Sequence, residues 1–258
     1  MNSSDLRTEA RNKLAGKWGK AVLIALAYAI IFVILNVIEN HVSNAVKSII
    51  SLIVAIIEVP LGFGLVLSLF KLYNGEDSQA FDFLSLGFSN FKKSWGISLR
   101  ILGKMILPIV ALIISIVILI VAVGGSISSG ILSTADYNSY SASLNGTFSG
   151  MAVIGVILYI ASIVWLIIKS YSYQLAYVIA ADNEDLSANE AVEQSAKLMN
   201  GNRWKLFCLQ FSFIGWIILA SFTLGIGFLW LAPYMQFATF AFYKALKGDT
   251  IETTIAEE

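Results

Sequence analysis

IISLIVAIIEVPLGFGLVLSLFKLY, residues 49–73, is apolar over its whole length except for a few polar positions. A helix needs roughly 20 such residues to cross the hydrocarbon core of a bilayer. Glu58 and Pro60 interrupt the run near its middle. A carboxylate is costly at that depth, and a proline removes a backbone hydrogen bond that lipid cannot replace. The stretch therefore predicts a spanning helix with a bend and a buried polar group. The rest of the chain reads as variations on that unit.

Composition agrees. Of 258 residues, 57% are hydrophobic and 13% charged, with a mean hydropathy of +0.77. A soluble domain of this size carries about 25% charged residues. The apolar residues fall in runs of around 20, which predicts a polytopic all-α membrane bundle. The alternating segments of about 10 residues that mark a transmembrane β-barrel do not occur. Net charge is formally zero, and no nucleic-acid partner is expected. Cys208 and His41 are the sole residues of their types. Neither a Cys/His metal site nor a histidine-based catalytic constellation can be assembled within one chain, and no cofactor is expected. No cleavable signal peptide is evident.

Working outward, residues 1–20 read as an amphipathic helix with Leu6, Ala10 and Leu14 on one stripe. Six spans are expected, over residues 21–38, 49–73, 97–123, 151–180, 205–222 and 228–246. Phe81, Leu84, Phe88, Phe91 and Trp95 recur at helical spacing and predict a second interfacial helix. This face either senses lipid or docks a partner, or it packs beneath the bundle. Ser187 and Glu190 fit a capping box that opens a third, with a stripe of Ala188, Ala191, Val192, Ser195, Leu198 and Met199. Residues 124–150, rich in Ser and Gly with Asp136 their only charge, read as a flexible loop. They include Asn145-Gly146-Thr147, a weak glycosylation match. The acidic tail, residues 247–258, reads as disordered.

The pattern of interfacial segment, basic residue, tryptophan and helix pair occurs three times. The copies cover about 1–75, 76–183 and 184–248, within a single membrane domain of residues 1–246. Trp18, Trp95 and Trp204 are the interfacial anchors, preceded by Lys17, Lys93 and Arg203. Pro60 stands 15 residues before Gly75, and Pro233 stands 15 residues before Gly248. The middle copy lacks that proline. Duplicated helix pairs of this kind predict three hairpins about a shared axis. Fifteen Lys and Arg residues fall on one side of the six-span layout and Lys47 alone on the other, with Lys169 inside a span. This predicts cytoplasmic termini and a cytoplasmic position for all three interfacial helices.

Pro60, Pro108 and Pro233 are the expected helix bends. Aligning the copies sets Lys169 and Tyr234 opposite Leu61, one turn (about 5 Å) from Glu58. Gln236 lies two residues beyond Tyr234. Glu58, Lys169, Tyr234 and Gln236 thus form a candidate polar cluster within the membrane. It is either a substrate, ion or proton site or a structural pair that fixes helix packing, with Lys169 reaching for headgroups.

The segments SDLRTEARNKLAGKWGKA, VPLGFGLVLSLFKLYNGED, AADNEDLSANEAVEQSAKLMNGNRWKLFCL and LAPYMQFATFAFYKAL together resemble a family of bacterial six-span membrane proteins, domain of unknown function 975. That family is in turn distantly similar to the membrane domain of some glycerophosphodiester phosphodiesterases. The resemblance implies a multi-pass protein of the bacterial cytoplasmic membrane and supplies no catalytic residues. The expected function is non-enzymatic: a membrane scaffold or accessory protein that binds membrane lipids, another membrane protein or a second copy of itself. The alternative is a small transporter or channel built on the Glu58 cluster.

Overall fold

The computed structural model describes residues 2–131 and 138–257; these are helices and turns, with no strand among the described residues. The helices are α1 (Ser3–Leu14), α2 (Trp18–His41), α3 (Asn44–Asn74), α4 (Asp82–Ser89), α5 (Phe91–Ile131), α6 (Asn138–Tyr173), α7 (Ala176–Asp182), α8 (Ala188–Leu198), α9 (Arg203–Phe211), α10 (Ile214–Phe222) and α11 (Phe228–Glu257). They form two compact units. One comprises Met1–Arg100 with Tyr171–Glu258; the other is Ile101–Ser170.

In the first unit, the core lies where the end of α3 meets α7 and α11. Phe63, Phe70 and Tyr73 of α3 are buried with Leu175, which precedes α7, Ile179 of α7, and Phe237, Phe240 and Phe242 of α11. The rings meet edge to face, Phe70 on Phe240 at 5.1 Å and Tyr73 on Phe237 at 5.4 Å. Each such pair adds about 1 kcal/mol beyond the area it buries. Ser68, Ala176 and Ala241, all 0% exposed, let the three backbones approach closely. α3 ends at Gly75, whose φ of +96° continues the chain in a left-handed turn that glycine adopts without strain.

α4 packs on α3 through two glycines. A Cβ on Gly64 would run into the Phe83 carbonyl oxygen and stand 2.9 Å from the Gly87 Cα. This contact fixes the rotation of α4, burying Phe83 and Gly87. The predicted face from Phe81 to Trp95 is therefore corrected. Phe81, Phe88 and Phe91 are exposed, and the helix breaks at Asn90, whose amide donates to the Leu86 carbonyl at 3.0 Å. The periodicity predicts one helix; the structure divides it into the short α4 and the first turn of α5.

The second unit is the central part of α5 and α6. Gly155 gives room to Leu119, which lies 2.9 Å from the position of a Cβ there. Ser115 and Ser162 donate to the Leu112 and Leu158 carbonyls at 2.7 Å, so neither hydroxyl is orphaned. Pro108 lies within α5. The flanks are apolar and exposed, with Leu107 at 69% and Ile120 at 65%. Such a surface suits lipid rather than water.

Five helical stretches are long and apolar enough to cross a membrane: Trp18–His41, Ala45–Asn74, Phe91–Gly125, Phe148–Asp182 and Arg203–Phe222. The expected sixth, residues 228–246, is not among them, because Pro233, Tyr234, Gln236 and Lys244 dilute its apolar run. The expected fifth span is divided at Ser212-Phe213 into α9 and α10, and the fourth at Gln174-Leu175 into α6 and α7. The Ser/Gly-rich stretch is more helical than expected. α5 runs to Ile131 and α6 starts at Asn138. Each glycine costs about 1 kcal/mol in a helix, and extending a helix that is already nucleated is cheap. Asp136 lies outside the described residues, as do the side chains of Asn145 and Thr147. α11 continues to Glu257 through the stretch read as a disordered tail.

The glycine contact yields a sharp comparison. Gly64→Ala should destabilise the detergent-solubilised protein by about 3 kcal/mol, because backbone must move to accept the methyl group. Gly103→Ala, with nothing within 4 Å of its new Cβ, should be neutral or slightly stabilising in the same unfolding assay.

Candidate functional site

The final turns of α3 and α7 leave carbonyl groups without helical donors, and the negative end of each helix dipole points there. Lysines arriving from elsewhere satisfy both. The Lys17 ammonium donates to the Leu72 carbonyl at 2.8 Å. The Lys93 ammonium donates to the carbonyls of Ala180, Asn183 and Glu184 at 3.1, 3.1 and 2.8 Å. The sequence marked these lysines only as topology signals; the structure makes them caps.

Two carboxylates tie the same region together. Asp182, the last residue of α7, accepts from the Tyr243 hydroxyl at 2.8 Å and from the Lys244 and Lys247 ammoniums at 2.5 and 2.7 Å. Glu9 on α1 accepts from the Tyr73 hydroxyl at 2.7 Å. Sequence reasoning missed both contacts. The available signal was the position of Asp182, since an aspartate at a helix C-terminus opposes the dipole and needs a cationic partner. At the periphery, Lys20 pairs with the exposed Asp77 at 2.5 Å, and the lysine holds that carboxyl below its usual range. The capping box that opens α8 forms as the sequence predicts. Its Ser187 side chain and backbone hold Glu190 below the usual carboxylate range.

The three tryptophan anchors do different work. Pro60 has no N–H, so the Ile56 carbonyl lacks its helical partner. The Trp95 indole N–H donates to that carbonyl at 3.2 Å. Trp18 lies against Tyr234, with ring centroids 6.1 Å apart, beside the buried Pro233. Trp204 is 71% exposed and stacks on Phe207 of its own helix at 4.9 Å.

The candidate polar cluster is distributed as follows. Glu58 is half-buried on α3, and the Tyr28 hydroxyl lies 4.0 Å from where a Cβ on Gly62 would stand, one turn away. Tyr234 donates to the Arg7 carbonyl of α1 at 3.3 Å and meets Phe213 edge-on at 5.1 Å. Gln236 is half-buried beside Phe237. These three belong to the first unit, whereas Lys169, half-buried on α6, belongs to the second.

A helical chain with five apolar stretches of spanning length, a lysine-capped end and exposed apolar flanks is a membrane protein in class. It matches the family described as Protein of unknown function (DUF975) over residues 1–250, and it belongs to that family. No curated protein and no solved structure matches the chain.

Two measurements probe this geometry. Trp95→Phe should cost about 1 kcal/mol by orphaning the Ile56 carbonyl. On a Pro60→Ala background, where residue 60 regains its N–H, the cost should vanish, so that the double mutant is about 1 kcal/mol less destabilised than the sum of the two single mutants. Asp182→Ala should cost about 3 kcal/mol, because its side chain is only 9% exposed and Lys244 loses its partner. Lys247→Ala, at a side chain 49% exposed, should cost less than about 1 kcal/mol.

Proposed function

We propose that this protein is a non-enzymatic scaffold or accessory protein of the bacterial cytoplasmic membrane. It crosses six times with both termini in the cytoplasm, and a belt of three amphipathic helices, α1, α4 and α8, engages lipids or another membrane protein. The third copy's hairpin, α9–α10 with α11, supplies the fifth and sixth crossings.

Two features support the threefold plan. α1 packs on α11, α4 on α3 and α8 on α7, so each belt helix lies on the second helix of the preceding copy. The burial pattern also repeats. Gly64, Leu67, Ser68 and Phe70 are buried, as are Ser172, Leu175, Ala176 and Val178, and Phe237, Phe240, Ala241 and Tyr243. These are the positions that align when Glu76 is set on Glu184 and Pro60 on Pro233. The Arg and Lys distribution supports the orientation.

The observation that carries the scaffold reading is the closed centre of the first unit. Where the copies converge, aromatic rings and the small residues Ser68, Ala176 and Ala241 fill the space. A transport path needs a wettable passage, and packing of this density opposes one. The second reading, a small transporter or channel, draws on Glu58, an acidic residue beside a helix-breaking proline with a tyrosine hydroxyl nearby.

Single cysteines near Glu58, Lys169 and Gln236, on a Cys208→Ser background, separate the two. A sealed scaffold should leave all three depths silent to membrane-impermeant thiol reagents while loop positions label. Labelling at those depths would overturn the scaffold reading in favour of transport.

A further inference from the structure

A cleft of about 470 Å³ opens in the first unit between α1, the start of α2 and the α10–α11 hairpin. Its walls are apolar: Trp216, Leu219, Trp230 and Leu231 line it, and Trp18 and Tyr234 stand beside Arg11 in the same lining. Trp216 and Trp230 are about half exposed, so the cleft opens sideways along apolar helices. A water-filled groove of this composition is unfavourable, and an acyl chain is the occupant that membrane surroundings supply.

The charge at one end narrows the choice. The cations of this region are largely committed. Lys17 caps α3, Lys20 pairs with Asp77, Lys13 lies over the Tyr73 ring at 5.4 Å, and Arg7 donates to the Ser212 carbonyl at 3.4 Å. Arg11 is exposed and donates to the Thr8 hydroxyl at 3.2 Å, which leaves most of its five N–H donors available. A guanidinium with free donors matches a phosphate. The tryptophan and tyrosine beside it are the side chains that favour the headgroup level.

We propose that this cleft binds one anionic phospholipid of the cytoplasmic leaflet, with its phosphate on Arg11 and an acyl chain along Trp216, Leu219, Trp230 and Leu231. This deepens the lipid-engaging reading and rests on its orientation. The site lies where copy three meets copy one, and it selects a headgroup charge rather than a headgroup shape.

The test is lipid titration of the full-length detergent-purified chain by native mass spectrometry, with dioleoyl phosphatidylglycerol and dioleoyl phosphatidylcholine as probes. The wild-type protein should retain the glycerol lipid in preference to the choline lipid. Arg11→Gln should weaken phosphatidylglycerol retention about fivefold and phosphatidylcholine retention by less, because the choline cation already offsets the phosphate that Arg11 meets, so that the preference between the two falls. Lys13→Gln, an equal loss of charge at a residue outside the cleft lining, should keep the wild-type preference. A preference that survives Arg11→Gln, or that falls as far in Lys13→Gln, would overturn the cleft and leave the belt reading standing. Retention of neither lipid by the wild-type protein would remove both.

Discussion

Every backbone polar group placed in an apolar environment needs a partner from within the chain, because lipid offers none. Pro60 breaks that rule inside α3, and the broken bond is repaired from outside the helix by the Trp95 indole. The ends of α3 and α7 are treated in the same way, with the lysines of other helices closing on their carbonyls. Serine and threonine hydroxyls complete the pattern by donating to carbonyls three or four residues earlier, as at Ser115, Ser162 and Thr223. Tertiary structure here is to a large degree the set of long-range contacts that complete local backbone bonding.

These contacts explain why the first unit packs as it does. A lysine can reach the end of α3 only if α2 starts beside it, and Trp95 can reach Ile56 only if α4 lets α5 begin close to the Pro60 turn of α3. The Gly64–Gly87 contact provides that approach. The aromatic cluster of Phe70, Tyr73, Phe237 and Phe240 then occupies the space between helices that the polar contacts have already oriented. Asp182 contributes by joining the end of α7 to α11 through three donors.

Much of the fold was legible from hydropathy. Apolar runs of spanning length locate α2, α3, α5 and α6, and the capping box at Ser187 locates α8. Legibility fell where a tertiary contact outweighed a local pattern. The Phe81–Trp95 periodicity is a good helical stripe, but two glycines on facing helices outweigh it. α11 is a long helix whose sequence is diluted with polar residues because its side chains meet α1 and α7 rather than a uniform apolar surface. The candidate site was legible in its prolines and tryptophans as residue types, not in their pairing. Spacing within one helix cannot reveal which carbonyl another helix will serve. Nor could charge counting separate lysines that cap helices from those that only mark a side of the membrane.

The Trp95–Ile56 bond also bears on how such a chain changes over time. An indole that serves a carbonyl freed by a proline is useful there only while the proline is present, and loss of the indole takes from that carbonyl the donor it has. The two positions are therefore constrained as a unit, although they lie on different helices. Trp204 shows the other outcome. The long helix α6 that precedes it in the chain contains no proline, and Trp204 is exposed and stacked against its own helix. With no freed carbonyl to serve, that side chain is released from its structural obligation and becomes a position at which the chain is free to diverge.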